Sequence, residues 1–162
     1  MAKKKHTVTN AMRLLSAAGI SYETVEYEAE EVTKDFGEYI ARLTGLSPER
    51  SFKTLVAKGD KTGPVVAVIC VNDEVDLKKL ARESCNKSVS LIHVKELQGL
   101  TGYIRGGVSP VGMKKKYPTY ISNKCAGLDW MAVSGGVCGI TLKLSPDGLR
   151  EITDGKICDI VN

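Results

Sequence analysis

Three short segments hold residues whose types and spacing could do chemistry. Phe52-Lys53-Thr54 opens an apolar run. In an alternating strand Phe52 and Thr54 share one face and Lys53 points to the other. A lysine in a β-rich segment ordinarily faces solvent. At the mouth of a pocket it could instead hold a phosphate or ribose, or stabilise developing negative charge. The second segment, Thr101-Gly102-Tyr103-Ile104-Arg105-Gly106-Gly107-Val108-Ser109-Pro110, contains paired glycines. These let a backbone approach a ligand closely and point its N–H groups at an oxyanion. The third is Val133-Ser134-Gly135-Gly136. A tight turn is the plain reading of either loop. Two such loops in one small domain also suit a shared pocket.

Other chemistries lack support. Val133 to Gly136 is not G-x-S-x-G, so it implies no serine-hydrolase elbow. Neither G-x-x-x-x-G-K-[ST] nor G-x-G-x-x-G occurs. The five cysteines are odd in number and no two have C-x-x-C spacing. They read as free thiols in a reducing cytosol, not as a zinc site or a disulfide framework. Cys138 lies beside the third segment without a partner base in the sequence. His6 and His93 are far apart and sit in no ligand or triad pattern. No metal or cofactor is expected.

The net charge of +4 is unevenly spread. No acidic residue occurs from Leu97 to Leu128, whereas Arg105, Lys114, Lys115, Lys116 and Lys124 all do. A glycine-rich stretch of one sign suits a polyanion. A solvated surface loop would look the same.

The elements that must position these residues follow from pattern. Thr9 caps a helix with Met12, Leu15 and Ala18 on its apolar stripe and Gly19 as its stop. Tyr22 to Tyr27 alternates as a strand, and Lys34 to Thr44 reads as a helix ended by Gly45. Phe52 to Lys58 and Pro64 to Val71 form a hairpin about Gly59 to Gly63. Asp76 to Ser84 and His93 to Leu100 read as short helices. Thr119 to Ser122, Trp130 to Val133 and Ile140 to Leu144 read as strands. Ser145-Pro146 starts a last helix, and Ile157 to Val161 an edge strand. No repeat, linker or apolar run of about 20 residues appears. No secretory signal follows the lysines of the opening MAKKKHTVTN. The expectation is one α+β domain over residues 1–162, with a mixed, mostly antiparallel sheet flanked by helices, cytoplasmic and away from membranes.

The ordered set FKTLV (Phe52 to Val56), TGYIRGGVSP (Thr101 to Pro110), GMKKK (Gly112 to Lys116) and VSGG (Val133 to Gly136) resembles the YbaK-type aminoacyl-tRNA editing family. VDLKKL, Val75 to Leu80, fits as well, and the likeness runs from about Thr9 to Val161. Each motif alone is weak; the ordered set is specific. The resemblance implies a partly barrel-like sheet and release of amino acids mischarged onto tRNA, typically cysteine from tRNA(Pro). It puts the essential lysine on Lys53, the neighbouring threonine on Thr54, the strand-end tyrosine on Tyr27 and the second-loop serine on Ser134. Loop contacts to substrate fall on Gly106, Gly107, Ser109, Gly135 and Gly136. Lys114, Lys115 and Lys116 would meet the tRNA backbone. The chain departs from the family at Thr141, where an acidic residue is frequent.

An aminoacyl ester is already activated. The enzyme need only hold it, stabilise an oxyanion and exclude the correct amino acid. By resemblance the substrate's own thiol attacks, a prolyl-tRNA synthetase is the partner, and no cofactor takes part. An alanine-specific deacylase of the same fold and a non-catalytic tRNA- or nucleotide-binding module are the alternatives.

Overall fold

The computed structural model describes residues 8–28 and 35–162. His6 and the first residue expected of the second helix, Lys34, fall outside them. Helix α1 (Asn10–Ala17) starts at Thr9, whose side-chain oxygen accepts the Met12 N–H. Such a cap typically contributes about 1 kcal/mol. Strand β1 (Glu23–Glu26) and helix α2 (Phe36–Thr44) follow. Strands β2 (Phe52–Gly59) and β3 (Gly63–Cys70) form the expected hairpin, in register from Phe52 opposite Cys70 to Gly59 opposite Gly63.

Then come α3 (Leu77–Glu83), capped by Asp76, β4 (Val89–Leu91) and α4 (Val94–Thr101). The chain closes with β5 (Thr119–Ser122), β6 (Met131–Ser134), β7 (Ile140–Leu144), α5 (Pro146–Thr153) and β8 (Lys156–Cys158). The β4 strand and a 3₁₀ turn at Asn123–Cys125 were not legible beforehand. Each is three residues long, too short to show a period.

The strands form two sheets rather than one. Three strands run in the order β1-β7-β6, and five in the order β4-β2-β3-β5-β8. Pairing is antiparallel except that β5 lies parallel to both β3 and β8. A single parallel bridge, Ser51 to Ala132, joins the sheets. The β3 run Gly63–Cys70 is almost wholly apolar because both its faces are covered. Val66 and Val68 pack with Met12, Leu15, Met131 and Leu142 between the sheets. Val65, Ala67 and Ile69 pack on the other side with Leu80 of α3 and Ile160. Burying each such side chain contributes roughly 1.5–3 kcal/mol.

This arrangement leaves a gap. On its outer side β2 pairs with β4 only at Ala57 to Gly59, and just before its start a bridge at Ser51 pairs it with the other sheet. Between those points, from Phe52 to Val56, no strand lies along that edge among the described residues.

Candidate active site

A cavity of about 350 Å³ occupies that gap. Because it wraps around a strand edge, residues from both faces of β2 reach it. Lys53 and Thr54, on opposite faces, both line it. The opposite wall is Ala132, Val133 and Ser134 of β6 with Thr141 of β7. Helix α2 supplies Phe36, Ile40 and Ala41, the start of α4 supplies His93, Val94 and Leu97, and the first glycine loop supplies Arg105 and Gly106. Tyr27, one residue past β1, completes it. The surroundings are mainly apolar, and among the described residues no carboxylate and no cysteine lines the cavity.

Lys53 is half-buried, and its Nζ donates to the Val71 carbonyl at 3.3 Å. It has no acidic partner among the described residues. A cation left without a counter-charge in a low-dielectric recess attracts an anion or a developing oxyanion. Arg105, exposed at the rim and likewise unpaired among the described residues, adds a second positive charge. The Thr54 hydroxyl oxygen is buried and has no hydrogen-bond partner among the described residues. An unmade bond of this kind costs about 1–3 kcal/mol, which a polar ligand atom would recover.

Burial pushes the Tyr27 phenol above its usual pKa. The Gly139 N–H opposes this and the neighbouring Cys138 thiol adds to it. Tyr27 is therefore a neutral donor at physiological pH. Its own N–H is held by the Gly139 carbonyl at 2.9 Å, which ties the strand end to the second loop. Ser134 and Thr141 face each other across the β6–β7 ladder, so two hydroxyls stand side by side on that wall. At the position where the family often has an acid, this chain has a buried, uncharged group.

The glycine loops differ in what they offer. In the first, the Gly107 N–H donates to the Ile104 carbonyl at 2.9 Å. Gly106 has φ +92°, as the third position of a type II turn requires. The Gly106 N–H has no acceptor among the described residues, and the residue lines the cavity. Gly107 instead packs against the second loop: a Cβ there would come within 2.8 Å of the Val137 backbone. In the second loop the Gly135 N–H bonds to the Ile140 carbonyl at 2.8 Å and the Gly136 N–H to the Ser134 hydroxyl at 3.3 Å. Ser109 is fully buried, and its hydroxyl accepts the Val111 N–H.

Of the residues singled out in the sequence, the cavity thus gathers Lys53, Ser134, Tyr27, Thr54 and Gly106. Gly107, Ser109, Gly135 and Gly136 are not among the residues lining it; Gly107 packs the first loop on the second, and the other three bond within their own loops. Lys114, Lys115 and Lys116 are exposed elsewhere, past the first loop. Sequence reasoning missed the apolar wall from α2 and α4, whose residues look like any core stripe, and it set aside His93, which stands exposed at the rim. Cys70 and Cys158, by contrast, are buried free thiols, each pushed by burial to a pKa of about 11.

Known proteins fit this geometry. A model of the aminoacyl-tRNA editing domain matches residues 27–152. A protein of Enterococcus faecalis, EbsC, named as a candidate Cys-tRNA(Pro)/Cys-tRNA(Cys) deacylase, is 45% identical over 161 residues, 99% of this chain and 98% of that protein. Proline–tRNA ligase 1 of Streptomyces avermitilis is 35% identical over 98 residues, 57% of this chain and 17% of the ligase. A solved structure described as a candidate trans-editing enzyme for prolyl-tRNA synthetase superposes with a TM-score of 0.82 at 24% identity, covering 94% of this chain and 95% of that one. At that identity the superposition speaks for the fold alone. The family match over most of the chain and the end-to-end relative give the same answer: this chain belongs to the aminoacyl-tRNA editing domain family.

Proposed function

We propose that this chain is a cytoplasmic deacylase that acts in trans and removes cysteine from tRNA(Pro). The observation that carries the reading is the 45% identity, along the whole chain, to a protein named for that activity. The cavity supports it. A recess with two cations unpaired and no carboxylate among the described residues suits the phosphate end of a tRNA, and its apolar wall suits a small side chain.

In the reaction we propose, the substrate's thiol sulfur attacks its own carbonyl carbon. A C–S bond forms, the ester C–O bond breaks, the thiol proton passes to the departing ribose oxygen, and cysteine leaves as a thiolactone. This route needs no enzyme nucleophile. Lys53 and the Gly106 N–H would stabilise the oxyanion, a role in which each donor is commonly worth about 10²–10³ in rate. Neutral Tyr27, Thr54 and Ser134 would hold the amino acid and ribose. Gly107, Ser109, Gly135 and Gly136 would keep the two loops in place around them. The lysines 114 to 116 would neutralise tRNA phosphates, a contact blind to sequence and sensitive to salt. Selection of tRNA(Pro) would then fall to prolyl-tRNA synthetase as partner.

The test is time-resolved loss of labelled amino acid from Cys-tRNA(Pro), Ala-tRNA(Pro) and Pro-tRNA(Pro), with wild type beside Lys53→Ala. Loss of cysteine alone, abolished in the variant, is the expected result. Loss of alanine instead would move the chain to an alanine-specific role at the same site. No loss from any substrate, with the synthetase added, would leave only tRNA binding.

A further inference from the structure

A second recess, of about 260 Å³, lies on the far side of the same loop. Its walls include Leu14 of α1, Pro110, Met113, Tyr117 and Ile152 of α5, with Lys115 at its edge. The hydroxyls around it are committed inward. Tyr117 Oη donates to the Leu100 carbonyl at 2.7 Å, Thr119 Oγ1 to the Tyr117 carbonyl at 3.0 Å, and Thr153 Oγ1 to the Leu149 carbonyl at 2.7 Å. What remains for a ligand is apolar wall and positive charge. Lys116 is paired with Asp154 at 2.6 Å, both exposed. The Lys115 ammonium has no partner among the described residues, and no acidic residue occurs between Leu97 and Leu128. An apolar slot with a free cation at its lip suits a planar base joined to a phosphate.

Its position relative to the first cavity is constrained by the chain itself. Val108 lines the first cavity and Pro110 the second. The two recesses thus share one loop as a wall, with these lining residues at most about 7 Å apart, the scale of one nucleotide of an unstacked strand. We propose that this recess binds the nucleotide preceding the one that carries the amino acid, with its base against Leu14, Met113 and Tyr117 and its phosphate on Lys115. The proposal rests on tRNA being the substrate of the first cavity. It assigns a site to the single-stranded 3′ end, separate from the backbone contacts of a duplex stem.

The experiment measures the affinity of the wild-type protein for an uncharged acceptor-stem minihelix of tRNA(Pro), labelled at its far end, by fluorescence anisotropy. A second minihelix lacks only the penultimate base. Removing that base should weaken binding about tenfold, the scale of one lost stacking contact. Leu14→Glu, at a residue 41% exposed, should erase the difference between the two RNAs. Lys115→Ala should lower the slope of log affinity against log salt by about 0.7, one single-strand phosphate contact. Equal affinity for the two minihelices, a difference that survives Leu14→Glu, or binding of neither RNA would each overturn the proposal. Deacylation measured in parallel keeps the two ideas apart. Turnover of Cys-tRNA(Pro) with no abasic penalty sinks only the recess, whereas an abasic penalty without turnover sinks only the deacylase.

Discussion

Two kinds of lysine site in this protein differ in their partners. On the surface, Lys79 meets Asp159 at 2.9 Å, Lys124 meets Asp73 at 2.9 Å and Lys156 meets Glu83 at 2.7 Å. In the gap between the sheets, half-buried Lys53 has only the Val71 carbonyl among the described residues. Among the described residues, these three surface lysines have a carboxylate partner and the lysine in the gap has none. Stability alone would favour the opposite arrangement, since an unpaired cation removed from water is costly. A group kept in that state is a candidate for work on a ligand. The Thr54 hydroxyl, buried and unpartnered one residue away, follows the same pattern.

The comparison is broken most directly at Lys53. Lys53→Ala should lower kcat/KM for the mischarged substrate by about 10²–10³, while the urea midpoint holds or rises. A large fall in the midpoint would instead make Lys53 a structural group. A smaller effect comes from the buried thiols, which lie outside the cavity lining. Cys70 and Cys158 have folded pKa values raised to about 11 from 9.0. Their contribution is fully present below the unfolded value and is lost as pH rises through the folded one. Stability measured by urea denaturation should therefore fall between about pH 9 and 11, by up to roughly 2 kcal/mol per thiol, and the fall should be shallower in Cys158→Ala.

Thr54→Val sharpens the contrast further. Removing a buried hydroxyl without a partner should stabilise the protein by about 1 kcal/mol and lower kcat/KM together. If both quantities fall, the hydroxyl is bonded in solution. The smallest effect is expected on the surface. Lys156→Ala removes an exposed ion pair of the kind that rarely contributes measurably, so melting temperature and turnover should match wild type within error.

Much of this was legible in the residues. Thr9, Asp76 and Ser145 cap the helices they mark, because a short polar side chain before an apolar stripe has one good use. The β2–β3 hairpin shows in its paired apolar runs. Lys53, Ser134, Tyr27, Thr54 and Gly106 stand out through an ordered motif set, and they come together at one cavity. The division of labour within the glycine loops was not legible. Gly106 and Gly107 are the same residue type side by side, yet one N–H has no acceptor among the described residues and the other is spent on Ile104. Nor was the apolar wall of α2 and α4, since a residue lining a cavity and a residue filling a core have the same chemistry.

The local order of helices and strands, the alternation that sends Phe52 and Lys53 to opposite faces, and the stretch without acidic residues are properties of the sequence by itself. They follow from periodicity, capping and charge, which need no distant neighbour. That the strands divide into two sheets, that the outer edge of β2 has no paired strand from Phe52 to Val56 among the described residues, and that opposite faces of one strand meet at one cavity were decided only by tertiary structure. These depend on where β4 stops and where Ser51 bridges to Ala132, contacts between segments up to 81 residues apart in the chain, whose pairing no local pattern encodes.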